Sequence, residues 1–210
     1  ELSSVNPVFI LPGALKERLQ AVVDEFVGSC LMGTGQFCTN PGLVIALDGP
    51  EADAFERAAA AGLAAISEQV MLTDGIAAAY RSGRDRIRET AGVREVLTST
   101  CDLRNATPYL FVTSGADWLG NHVLGEEVFG PLGLIVVAKD AGEMREIAAS
   151  MQGQLTATLH LDAGDTELAQ GLMPILERKA GRVLANGYPT GVEVADAMVH
   201  GGPYPASTNF

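Results

Sequence analysis

Short runs of Val, Ile and Leu alternate along the chain with stretches whose apolar residues recur every three to four positions. The runs fall at residues 8–11, 43–47, 109–113, 132–138, 157–161 and 182–185. They are short and apolar on both sides of the chain, which suits strands covered from two faces. Between them, residues 14–27 set Leu15, Leu19, Val22, Val23, Phe26 and Val27 at helical spacing, and residues 52–70 put Phe55, Ala59, Leu63 and Ile66 on one face. Further helices are expected over 74–91, with Thr73 as cap, and over 141–151 and 166–180. Pro12-Gly13 and Asp48-Gly49-Pro50 are breaks. Strands alternating with helices predict an α/β fold with a mostly parallel sheet and helices on both faces. No repeat or low-complexity linker divides the 210 residues, so a single domain over 1–210 is expected.

Composition narrows the function. The chain is 47% hydrophobic and 19% charged, which is ordinary for a globular protein. A net charge of −12 speaks against a nucleic-acid partner, because phosphate recognition needs a Lys/Arg surface. No apolar run is long enough for a membrane span, and no membrane partner is expected. Three widely spaced cysteines with no CxxC pair suggest neither a disulfide framework nor a zinc site, and fit a reducing, cytoplasmic setting. His122, His160 and His200 show no metal-ligand spacing, so no metal is expected; His160, in an apolar strand pattern, reads as a satisfied core or edge residue.

Three segments stand out chemically. Gly33-Thr34-Gly35-Gln36-Phe37-Cys38-Thr39-Asn40-Pro41-Gly42 sets a cysteine in a loop between a helix and a buried strand. Such a thiol is either a nucleophile or packing, and the local sequence leaves both open. Cys30 and Cys101 lack these surroundings and read as inert. Glu126-Glu127-Val128-Phe129-Gly130-Pro131 places two carboxylates before a strand: acceptors for paired ribose hydroxyls, or a solvated turn with Phe129 in the core. Glu1, ahead of Leu2-Ser3-Ser4, is a carboxylate able to act as a general base. No HExxH, GxSxG, Walker loop or GxGxxG follows the strands.

Taken in order, these segments resemble the aldehyde dehydrogenase superfamily. Glu1-Leu2-Ser3-Ser4 is similar to its Glu-Leu-Gly-Gly motif, with serine at both glycines. Gly35-Gln36-Phe37-Cys38 is similar to its Gly-Gln-x-Cys motif, residues 126–131 to Glu-Glu-[Ile/Val]-Phe-Gly-Pro, and Gly181-Arg182-Val183-Leu184-Ala185-Asn186 to a late strand ending in Asn. The wording Ser3-Ser4-Val5-Asn6-Pro7 narrows the resemblance to the 2,5-dioxopentanoate (α-ketoglutarate semialdehyde) dehydrogenase branch, which also contains a long-chain fatty-aldehyde enzyme.

The resemblance implies roles. Cys38 attacks the aldehyde to give a thiohemiacetal and then a thioester, with its own backbone N–H on the oxyanion. Glu1 activates the hydrolytic water. Glu127 holds the nicotinamide-side ribose of NAD or NADP, with Phe129 beside it. Phe37, Thr39, Asn186, Thr190 and Val192 line the aldehyde pocket. It further implies that the dinucleotide-binding domain and a C-terminal oligomerisation arm lie outside these residues, that the whole enzyme is a homo-oligomer, and that this portion alone is inactive. Two other readings compete: a non-catalytic assembly module, and a thiol hydrolase, which requires a histidine near Cys38 in space.

Overall fold

The computed structural model describes residues 4–191, together with 196, 198 and 200–204. Glu1 and Val192 lie outside the described residues.

The apolar runs form the sheet. Its strands are β1 (Val8–Ile10), β2 (Leu43–Leu47), β4 (Arg94–Leu97), β6 (Tyr109–Ser114), β7 (Leu132–Ala138), β8 (Gln154–His160) and β9 (Ala180–Ala185), in the order β4-β6-β7-β2-β1-β8-β9. All neighbours are parallel except β4, which runs antiparallel to β6. A two-residue ladder, β3 (Gln69–Val70) with β5 (Asn105–Ala106), stands apart.

Successive strand residues enter opposite cores, as the two-residue period of a strand requires. Phe9, Leu43, Ile45, Leu134 and Val136 join one buried cluster; Val8, Ile10, Val44 and Ile135 join the other. The first cluster is closed by α3 (Asp74–Glu89), α4 (Gly115–Gly120), α5 (Ala141–Ser150) and α6 (Thr166–Lys179), through Tyr80, Trp118, Ile147 and Leu172. The second is closed by α1 (Pro12–Leu31) and α2 (Pro50–Ala64), whose Phe26 and Phe55 rings meet at 5.6 Å. Each such fully buried ring stabilises the fold by about 2–3 kcal/mol.

Helix ends follow local chemistry. The hydroxyl of Thr73 accepts from the Ile76 N–H at 3.1 Å, and Asp140 accepts from the Glu143 N–H at 2.9 Å. At the start of α1 the Asp165 carboxylate accepts from the Gly13 and Ala14 N–H groups, at 2.8 and 3.1 Å. A negative group there meets the positive pole of the helix.

His160 departs from expectation. It is fully buried, yet neither ring nitrogen has a partner among the described residues. Its ring lies 4.7 Å from that of Tyr188. Burial, with the Arg18 guanidinium nearby, lowers its pKa to about 4 and keeps it neutral.

Candidate active site

Beyond α1 the chain turns through Met32–Gly35, where Gly33, Thr34 and Gly35 take left-handed angles (φ 56°, 60° and 67°). Gly35 also has no room for a side chain: a Cβ there would overlap the carbonyl group of Gly130. The cysteine loop and the 126–131 segment therefore meet backbone to backbone. Asn40 extends the join, its Nδ2 donating to the Gly130 oxygen at 3.2 Å. Two of the segments singled out in the sequence are thus in direct contact.

Cys38 is half-buried on this loop, and its Sγ lies 3.3 Å from Nε2 of His200. A thiol within reach of an imidazole has a base to take its proton, and the thiolate is the nucleophile. Nothing in the spacing joins positions 38 and 200, so sequence reasoning missed this histidine. Its setting, His200-Gly201-Gly202-Pro203, marks a turn with room for close packing but names no partner. That turn crosses the start of β9, where a Cβ on Gly181 would overlap the Gly201 carbonyl, and Gly153 just before β8 faces Pro203. The Cys38 loop feeds the same end of the sheet, ahead of β2. Cys30, by contrast, is sealed in the core, and burial pushes its thiol up to about 12. Cys101 is half-buried ahead of β5.

The residues expected around the aldehyde divide. Phe37 is 39% exposed beside the thiol. Thr39 is buried, and its carbonyl accepts from the Thr190 hydroxyl at 3.1 Å, so these two share the loop's surroundings. Asn186 is not brought to them. It follows β9 at the far end of the sheet, in a left-handed conformation (φ 54°), and its Oδ1 accepts from Arg18 and from the Leu161 N–H at 2.9 Å. Its carboxamide ties β9 to α1 and β8, because a chain leaving a strand must pair its last polar groups somewhere.

Glu127 and Phe129 are half-buried and line, with Ser4, Gly35, Asn40 and Leu132, a cavity of about 20 Å³. That is room for one water and not for a sugar. A ribose would have to approach Glu127 from outside that cavity. As a carboxylate on the segment that abuts the Cys38 loop, Glu127 has the chemistry of an acceptor for paired hydroxyls. Glu126 turns away to an exposed ion pair with Arg86 at 3.2 Å.

A larger cavity, about 450 Å³, opens at the other end of the sheet between Asp48, Arg94, Ser114, Asp117, Lys139 and Glu143. Ligands of parallel sheets often bind at that end, but here its charges pair locally, Lys139 with Glu143 at 3.5 Å and Arg94 with Glu56 at 2.8 Å. No group of three or more His, Cys, Asp or Glu among the described residues is placed to hold a metal, and no helix among them is long and apolar enough to cross a membrane.

No family model matches the chain. It is 51% identical over 214 residues to alpha-ketoglutaric semialdehyde dehydrogenase 2 of Azospirillum brasilense, and 41% identical over 212 residues to alpha-ketoglutaric semialdehyde dehydrogenase of Acinetobacter baylyi. Each match takes in 100% of this chain and 40% of the relative, so the chain spans about two fifths of the length of the curated relatives it matches. Among solved structures, an NAD-dependent aldehyde dehydrogenase from Sinorhizobium meliloti superposes with a TM-score of 0.76 at 19% identity, over 96% of this chain and 40% of that one. An NADP-dependent glyceraldehyde-3-phosphate dehydrogenase from Bacillus halodurans does so with a TM-score of 0.78 at 21% identity, over 96% and 41%. Sequence along its whole length and fold together place the chain in the aldehyde dehydrogenase superfamily.

Proposed function

We propose that the protein carrying this chain oxidises 2,5-dioxopentanoate to 2-oxoglutarate, with NAD⁺ or NADP⁺ as the oxidant, and that residues 1–210 are its nucleophile-bearing domain. On this reading the dinucleotide fold and the oligomerisation arm are supplied from outside these residues, and a homo-oligomer is expected. The observation that carries it is the Cys38–His200 contact at 3.3 Å, on the loop packed against the Glu127 segment. The semialdehyde is the substrate named for the two relatives at 51% and 41% identity.

The chain's own residues then act in sequence. His200 accepts the thiol proton, and Cys38 adds to the aldehyde carbon. Asn40 N–H donates to the Phe37 carbonyl at 2.9 Å, holding the peptide between Phe37 and Cys38, whose N–H is offered to the oxyanion. Glu127 orients the nicotinamide ribose. The Cys38 adduct would lose its hydride to NAD⁺ or NADP⁺, the two-electron oxidant, and become the thioester. Glu1 serves as base for the water that releases the acid. Dividing the oxidation into addition and hydrolysis lowers the barrier of each part. A thiol hydrolase would also use Cys38 and His200, but it has no use for a ribose acceptor beside the nucleophile.

Iodoacetamide should label Cys38 at least about 10-fold faster than Cys101 and leave Cys30 untouched. The intact protein should reduce dinucleotide with 2,5-dioxopentanoate in preference to a long-chain aldehyde, and Cys38→Ala should abolish this. Equal labelling of Cys38 and Cys101, or turnover surviving Cys38→Ala, would overturn the reading; preference for the long-chain aldehyde would overturn the substrate.

A further inference from the structure

Asn6 lies in the segment that leads from Glu1 into β1, 32 residues before the nucleophile. It is 1% exposed and sits at φ 46°, a left-handed angle that asparagine tolerates better than most residues. Its Nδ2 donates to the carbonyl of Cys38 at 2.9 Å and to that of Asn40 at 3.0 Å. Its Oδ1 accepts from the hydroxyls of Ser4 at 2.9 Å and Thr156 at 3.1 Å. The amide is thus used at both ends, and its orientation is settled by what faces it: three carbonyl oxygens on one side, that of Ser4 at 3.3 Å being the third, and two hydroxyls on the other.

A second carboxamide holds the first in place. Oε1 of Gln154, buried at the start of β8, accepts from the Asn6 N–H at 3.1 Å and the Val5 N–H at 2.9 Å, and lies 3.0 Å from the Ser4 hydroxyl, whose single proton it shares with Asn6 Oδ1. Ser4 in turn accepts from the Leu155 N–H at 3.0 Å. The serine that departs from the Glu-Leu-Gly-Gly wording is therefore a hub between β8 and Asn6. Buried networks of this kind are rigid when every member is satisfied.

The result at the loop is specific. The carbonyls of residues 37, 38, 39 and 40 each have a donor: the Asn40 N–H, Asn6, the Thr190 hydroxyl, and Asn6 again with the Gly42 N–H. Asn6 supplies two of these and is the group that fixes the peptide plane following Cys38. We infer that Asn6 is a positioning residue for the Cys38 nucleophile, clamping the loop so that Sγ stays within reach of His200. This rests on Cys38 being the nucleophile, as proposed above.

The test uses two variants of the intact protein. Asn6→Gly keeps the left-handed backbone without strain and removes the amide. Asn6→Asp keeps the shape and the acceptor for Ser4 and Thr156, but turns an oxygen toward the carbonyls. Each should lower kcat for semialdehyde oxidation about 100-fold with KM changed less than about 3-fold, since small misplacements of a reacting group cost rate on that scale. The pH midpoint of Cys38 alkylation should move in both variants. Ile147→Val, a truncation in the core beneath α5, should lower thermal stability and leave that midpoint in place. A folded Asn6→Gly or Asn6→Asp protein with unchanged kcat and midpoint would overturn the inference, as would an equal midpoint change in Ile147→Val. If one Asn6 variant does not fold, the other decides. Sluggish wild-type Cys38 would instead overturn the nucleophile reading and this inference with it.

Discussion

Acid should weaken this fold through one residue, His160. Its ring is neutral and buried, with its pKa lowered from an ordinary 6.5 to about 4. The unfolded chain binds a proton there at about 6.5, so between 6.5 and 4 the unfolded state holds more protons than the folded one. The contribution is complete above pH 6.5, declines as pH falls toward 4, and changes no further below that. At 1.36 kcal/mol per pH unit the full loss is about 3 kcal/mol. Carboxylates also titrate in this range, so the comparison is with His160→Leu, which cannot take the proton. At pH 7 the variant should lie within about 1 kcal/mol of wild type, because ring contact with Tyr188 is lost while two unpartnered nitrogens are removed. Urea unfolding at 25 °C should then show the variant gaining about 3 kcal/mol on wild type as pH falls from 7 to 4. A difference that stays flat over that interval, or a His160 resonance titrating near 6.5 in the folded protein, would refute the reasoning.

Two further substitutions probe how the site is held. Gly35→Ala forces a Cβ into the Gly130 carbonyl at a left-handed angle; a stability loss of more than about 2 kcal/mol by chemical denaturation, with slower Cys38 alkylation, is expected. Asp165→Ala strips acceptors from the Gly13 and Ala14 N–H groups and should cost about 2–3 kcal/mol by the same measurement, with Cys38 reactivity unchanged.

The strands of the sheet were legible where burial on both sides leaves an unbroken apolar run, as in β2 and β7. β4 was not, because Arg94 and Glu95 are exposed on an edge and carry no period; charges there also discourage further pairing. The two-residue strands β3 and β5 and the six-residue α4 are too short to show one. The helix expected over 52–70 ends at Ala64, since alanine propensity continues past the last buried residue, Leu63, but packing does not. At the site, the cysteine loop and the 126–131 segment were readable from residue type and order. His200 was not, because its approach to Cys38 is made by a return of the chain 162 residues later. Asn6 escaped notice because a carboxamide announces its partners only once the loop carbonyls are placed. Asn186 was expected at the aldehyde and is instead spent on Arg18 and Leu161.

Where Gly35 meets Gly130, no side chain stands between two peptide groups to flex or swing aside. The backbone has only two soft torsions per residue, so neither segment can yield to the other by a change of rotamer. The seating of the acidic segment and that of the thiol's loop are therefore set at one shared backbone junction.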